Sequence, residues 1–270
     1  MQPRSPRTLL EVQAIHKTLR PPGEPAQRLF HNLSLSLAAG ERLAIFAATN
    51  NETNHLFRCL AGIDTPDSGV IRQHGSLSWP TGMNGTFSGK LPGYENVRFA
   101  LEIYGRTGRM AHDLALVEEL AGIERERLMD PLGTYPGELK NRIAMALPLA
   151  VDFDAYLIAK LPGADFEAMN ARAQRILELF QQERPQAGLL VAGTFLWPFP
   201  QQVCREGIAL IDGQIAYRGD LEECRRLALA QRELLQDRKR QSMLTSAAGL
   251  DRGGGTLADD DGDAWVSELP

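Results

Sequence analysis

The chain has 270 residues, 43% of them apolar and 23% charged, with a formal net charge of −5. That length supports one large domain with a substantial core, and the acidic balance excludes the basic face that nucleic-acid-binding domains carry. No nucleic acid is therefore expected as a partner. Cys59, Cys204 and Cys224 stand far apart and are odd in number, a pattern that fits neither a disulfide framework nor a metal site; free thiols in a reducing cytoplasm are expected.

Residues 1–7 are polar and lead into no signal-type apolar core, so they read as an N-terminal extension to a domain over 8–228. Leu33, Leu35 and Leu37 alternate with Ser34 and Ser36, the period of a half-buried strand. After the turn at Ala39-Gly40, Arg42 to Ala47 reads as a more buried strand, and a helix is predicted over 54–60, ended by Gly62. Gly75 to Gly93 is rich in Gly, Ser and Pro and reads as loop, with Trp79 and Phe87 embedded in it.

Helical periodicity recurs over 94–104, 111–121, 138–150 and 166–182, with short apolar strands predicted over 155–159 and 188–192. The run Gly188 to Trp197 is the most apolar in the chain but falls short of the ~20 residues of a spanning helix. Attachment to a membrane is thus expected to pass through a partner. Asp212-Gly213 between two apolar runs supplies the positive φ angles of a two-residue hairpin.

A charged helix is predicted over 221–240, and the domain assignment gives residues 229–245 to a C-terminal helix. The Arg238-Lys239-Arg240 cluster reads as its solvated end. Residues 246–270, rich in Gly and Asp, read as a disordered acidic tail. Its 259–263 run lacks the downstream glutamate that closes a calcium loop, so no metal is expected. Strands alternating with helices after an initial β segment indicate an α/β sheet.

Several words in the sequence resemble ATP-binding cassette (ABC) proteins. They are Glu41 to Ile45, a nine-residue loop, then Leu56 to Gly62, with Pro66-Asp67-Ser68-Gly69-Val70-Ile71 following. Ser78-Trp79-Pro80, Glu95 to Phe99, Ile103-Tyr104-Gly105 and Asp152 to Ile158 resemble the branch that exports capsular polysaccharides, and Leu210 to Gly213 matches a late hairpin. The resemblance covers roughly residues 8 to 228. It implies a P-loop NTPase-like fold, with a mixed sheet, flanking helices, an antiparallel β subdomain and a helical subdomain.

The residues that would act on ATP in that family are replaced. An active loop needs glycines for close backbone approach, a lysine for the β and γ charges and a hydroxyl for magnesium. The loop here runs Ala47-Ala48-Thr49-Asn50-Asn51-Glu52-Thr53-Asn54-His55, so Ala47 and Glu52 replace the glycines, Thr53 the lysine and Asn54 the hydroxyl. A carboxylate ~4 Å from a phosphate costs about 4 kcal/mol at an effective dielectric near 20. Thr49-x-x-Glu52 also matches a capping box, in which the helix satisfies its own first turn. Two readings follow: a self-capped helix, or a residual nucleotide site on Asn50, Asn51 and His55.

Pro136-Gly137-Glu138 occupies the position of the family's signature, where proline within the first helical turn and an acid suit a helix start. Ala159 and Lys160 stand where the family has its magnesium aspartate and catalytic glutamate, Gly193 where it has a histidine, and Leu19 where it has an adenine-stacking aromatic. No catalytic residue, metal or cofactor is thus expected, with ATP and magnesium as the alternative. The expected function is a non-catalytic cassette-fold subunit of a polysaccharide export system, cytoplasmic and peripheral to the inner membrane. Its partner would be a permease, another cassette subunit or a second copy, docked around Trp79, Phe87, Arg98 and Tyr104. The alternatives are a soluble scaffold without a permease, and an enzyme with a rebuilt site on Lys160 and His55.

Overall fold

The computed structural model describes residues 7–23, 25–83, 87–159, 166–193 and 199–249. Contacts divide the chain into two units, Met1–Gln231 and Arg232–Pro270. In chain order the first unit opens with β1 (Thr8–Leu19), β2 (Gln27–Ala38), β3 (Arg42–Ala47), α1 (Asn50–Leu60) and β4 (Ser68–Gln73). Four helices follow: α2 (Gly93–Ile103), α3 (Met110–Ala121), the one-turn α4 (Arg125–Leu128) and α5 (Gly137–Ala150). Then come β5 (Ala155–Ile158), α6 (Phe166–Glu178), β6 (Gly188–Ala192), α7 (Phe199–Val203), β7 (Glu206–Ile211), β8 (Gln214–Gly219) and α8 (Leu221–Gly249). The predicted strands over 42–47 and 188–192 match β3 and β6 residue for residue.

The central sheet has the order β5-β6-β3-β7-β8, parallel except for β8. Its inner strands are apolar on both faces because both faces are covered. Leu43, Ile45 and Ala47 of β3 face a cluster with Phe57 and Leu60 of α1 and Leu33, Leu35 and Leu37 of β2. Ala44 and Phe46 face the other cluster, with Val117 of α3, Ile143 of α5 and Ile176 of α6. The antiparallel sheet β2-β1-β4 therefore packs beside α1 on one side, and the helical layer on the other.

Local chemistry fixes the details. In β1 the register slips between Val12 and Ile15, Ala14 takes φ 47°, and its N–H is rescued by Ser34 Oγ at 2.8 Å. The β7–β8 turn holds Asp212 at φ 48° and Gly213 at φ 77°, the two positive angles that a type I′ turn requires. Pro148 lies inside α5 and lacks the N–H that would reach the carbonyl of Ala144. That carbonyl instead accepts the N–H of Gly82 at 3.4 Å, tying the helix to the loop beside β5.

Three boundaries differ from the sequence expectation. The first helix begins at Asn50 rather than 54, because its capping pair already sits at Thr49 and Glu52. Pro136 is the residue before α5 and not within its first turn. The C-terminal helix is one element from Leu221 to Gly249, crossing the expected boundaries at 228 and 245. Within the second unit, residues 232–241 are exposed apart from half-buried Leu235. Lys160, Trp197, residues 1–6 and the 259–263 run lie outside the described residues.

Candidate nucleotide loop and docking face

Ala47, Ala159 and Gly193 follow or end the parallel strands β3, β5 and β6, so these three positions share the carboxyl edge of one sheet. This is the edge at which open α/β sheets bind ligands. Sequence order alone does not show that these positions converge; the strand order does.

Glu52 folds back on its own helix. Its Oε2 accepts the Thr49 N–H at 3.1 Å and the Thr49 hydroxyl at 3.0 Å, the carboxylate half of a capping box. Burial pushes the Glu52 carboxyl above its ordinary value, the Thr49 hydrogen bonds oppose that shift, and the Asp212 charge adds to it. Thr53, at the lysine position, is buried and donates its hydroxyl to the carbonyl of Asn50 at 3.2 Å. His55 is drawn away from Asn50 and Asn51: its Nδ1 lies 3.3 Å from Asp64 Oδ2, beside the two hydrogen bonds of Arg58 to that carboxylate, both 2.8 Å. Those bonds, Arg58 foremost, hold Asp64 below its ordinary value. Asn54 is half-buried and Asn50 exposed.

Gly193 donates its N–H to Ile45 at 2.8 Å, and a Cβ placed on it would meet the Phe46 ring at 2.4 Å. The glycine is thus a packing requirement of Phe46, a core residue of β3. Ala159 is half-buried and donates its N–H to Thr81 Oγ1 at 3.1 Å. The buried Ser78 hydroxyl accepts from Leu157 N at 2.9 Å, so the 76–82 loop seals the edge of β5.

Pro136, Gly137 and Glu138 are exposed at the start of α5, with Glu138 in its first turn. The chain just before them hydrogen-bonds to the loop after Phe87, Gly133 N to Gly89 O at 2.7 Å and Leu132 N to Leu91 O at 2.9 Å. Asn96 braces that loop from α2: its side chain is buried, accepts from Ser88 N at 2.8 Å and donates to three carbonyls, of Ser88, Leu91 and Pro92.

Of the four docking candidates, Trp79 and Tyr104 come together, their rings stacked at 5.0 Å and 28°. Phe153 stands edge-on to both, at 5.7 and 5.3 Å. Phe87 is half-buried against the core, and Arg98 bridges Glu95 at 2.8 Å and Glu102 at 3.5 Å along α2. Sequence reasoning missed Phe99 and Ile103, 62% and 64% exposed on the same helix, and Leu91 before it. An apolar residue exposed on a helix breaks the amphipathic stripe, and that break was a readable signal. It also missed Asp113, fully buried and held by Arg106 at 2.7 and 3.1 Å. No described helix is long and apolar enough to cross a membrane, and no cluster of potential metal ligands occurs among the described residues.

No protein-family model matches the chain. Curated relatives do. The polysialic acid transport ATP-binding protein KpsT of Escherichia coli is 31% identical over 175 residues, covering 65% of this chain and 79% of the relative. The capsule polysaccharide export ATP-binding protein CtrD of Neisseria meningitidis serogroup B is 28% identical over 195 residues, covering 72% and 87%. Among solved structures, a dimeric ATP-binding cassette in a post-hydrolysis state with ADP and Pi aligns with a TM-score of 0.65 at 16% identity, covering 79% of this chain and 99% of that one. The ATP-binding subunit of an ABC transporter aligns at 0.64 and 20%, covering 86% and 99%. The chain belongs to the family of ABC-transporter ATP-binding subunits.

Proposed function

We propose that this chain is a non-hydrolysing cassette-fold subunit of a capsular-polysaccharide export system. It acts at the cytoplasmic face of the inner membrane, docked on a permease, with a second cassette subunit or a copy of itself alongside. The polysaccharide assignment rests on the names of its relatives KpsT and CtrD. The loss of hydrolysis rests on one observation above the others: the carboxylate of Glu52 lies in the loop where a phosphate would need to approach, bound to Thr49.

Neighbouring residues support the same reading. Thr53 spends its hydroxyl on its own helix, Ala159 offers no metal ligand, and the backbone at Gly193 is closed over by Phe46. The residues present do not fit magnesium-ATP. The docking face is placed at the Trp79–Tyr104 stack and at α2, whose exposed Phe99 and Ile103 are apolar side chains suited to a helix presented by a permease.

Calorimetry of the purified chain with magnesium-ATP, at protein concentrations that detect millimolar affinity, tests the proposal. Absence of both heat and thermal shift is expected. Micromolar binding would overturn it and return the loop to nucleotide chemistry.

A further inference from the structure

Two segments far apart in sequence are cross-linked twice, side by side. Tyr104 meets Phe153 through their rings, and Arg106 meets Asp152 through charge, Nη1 to Oδ2 at 2.8 Å. The Asp152 carboxylate takes two further guanidiniums, Arg109 at 2.9 Å and Arg184 at 2.7 Å. Arg106 also holds the buried Asp113 of α3, and Arg184 donates to Leu149 O at the end of α5 at 2.6 Å. One carboxylate in the α5–β5 connection thus joins the connection after α2, the start of α3 and the turn before β6.

We propose that Asp152 is the centre of a charge clamp that positions the docking face, holding Tyr104 and therefore Trp79 in their stack. The proposal rests on the docking reading above and adds what fixes that surface. The aromatic contacts alone do not fix the segment after α2, because ring pairs tolerate several orientations. Bidentate and shared guanidinium–carboxylate bonds specify direction. Arg106 lies two residues after Tyr104, and Asp152 one before Phe153, so the clamp sets the distance at which the rings meet. A cavity of about 460 Å3 opens on Asp152, lined also by Arg109, His112, Glu183 and Gln186. Water and salt therefore reach the clamp.

The test uses full-length protein with Trp197→Phe and Trp265→Phe, so that Trp79 alone fluoresces. Asp152→Asn keeps the shape and removes the charge. Acrylamide quenching of Trp79 is expected to rise several-fold, and amide exchange over 104–113 to accelerate at least tenfold. Salt at 1 M, where the screening length is ~3 Å, should shift the parent in the same direction and the variant little.

Asp64→Asn, which breaks the remote Arg58–His55 cluster, controls for general loosening and should leave Trp79 unchanged. If Asp152→Asn does not fold, Arg109→Gln at the exposed member is read the same way, with a smaller rise. Unchanged quenching and exchange in a folded variant overturn the clamp, as does an equal rise in Asp64→Asn. Binding to a co-expressed export permease separates the two ideas. If the parent does not bind, the docking reading fails while the quenching result stands. If parent and Asp152→Asn bind equally, docking stands and the positioning role is overturned.

Discussion

A glycine at position 52 would carry no charge; the glutamate there folds its carboxylate back on the first turn of α1 and ties it to Thr49. Its ionisation is resisted by burial, which sets the sign of a titration. The folded carboxyl lies above its ordinary value of 4.5, so Glu52 detracts from stability progressively as pH rises from that value through the folded one. Glu52→Gln should flatten this part of the stability–pH curve, and a carboxyl-carbon NMR titration should find the Glu52 midpoint above the ordinary range. A midpoint at or below it would refute this account of the half-buried Glu52.

Position 193 gives a second prediction. A side chain there must displace the Phe46 ring, and overpacking costs about 1–3 kcal/mol, or a Tm drop of roughly 2–12 °C in a domain of this size. Gly193→His should show that loss by calorimetry, and Phe46→Leu should recover part of it. Strict additivity of the two substitutions would refute the packing account. Residues 52, 53, 159 and 193 read in the sequence as replacements of the family's motif residues. The physical meaning at 193 was not legible there, because the ring that excludes a side chain sits on a strand 147 residues earlier.

At the scale of elements, α2 and the loop before it depend on one buried amide. Asn96 makes four hydrogen bonds to loop backbone groups, and its loss leaves those groups unpaired at about 1–3 kcal/mol. Asn96→Ala should lower unfolding free energy by about 2 kcal/mol and raise amide exchange at Ser88, whose N–H loses its acceptor. Asn96→Asp keeps the acceptor and should spare Ser88 exchange while still losing stability. The sequence carried a hint, since asparagine early in an apolar helix opposes helix propensity; what it braces was set by loop geometry that propensity does not describe.

The strands fared better. Arg42–Ala47 and Gly188–Ala192 were readable because both faces are buried and the whole run is apolar. The long β1 was not resolved as a strand, because its bulge at Ala14 breaks the period of two. The helix start at Thr49 failed because the reciprocal Thr49–Glu52 pair decides it, while α5 starts one residue after Pro136, which caps it without a side-chain hydrogen bond.

For the molecule as a whole, acid stability follows from its depressed carboxylates. Asp64 is lowered first by the Arg58 hydrogen bonds, and Asp154 first by the Ser76 N–H. Burial raises Asp152, yet the charges of Arg184, Arg106 and Arg109 together outweigh it and lower it. Each contributes stability that is full above the ordinary aspartate value of 3.8 and is lost as pH falls through the folded value. Denaturant melts at stepped pH should therefore show stability falling below about pH 4, with a smaller fall in Asp152→Asn. A parallel fall in both would remove Asp152 from this account.

The three thiols occupy the two faces of the central sheet unequally: Cys59 lies in the layer with β1 and β2, while Cys204 and Cys224 lie in the helical layer. All three are buried, and burial pushes them up to about 11, 12 and 11 respectively. The native chain is accordingly a silent substrate for maleimides, since the thiolate is the reacting species. Each thiol becomes reactive only when its own layer opens. The chain thus carries an internal pair of clocks: in rising urea, alkylation at 59 dates the parting of the two sheets, and alkylation at 204 and 224 dates the loss of the helices.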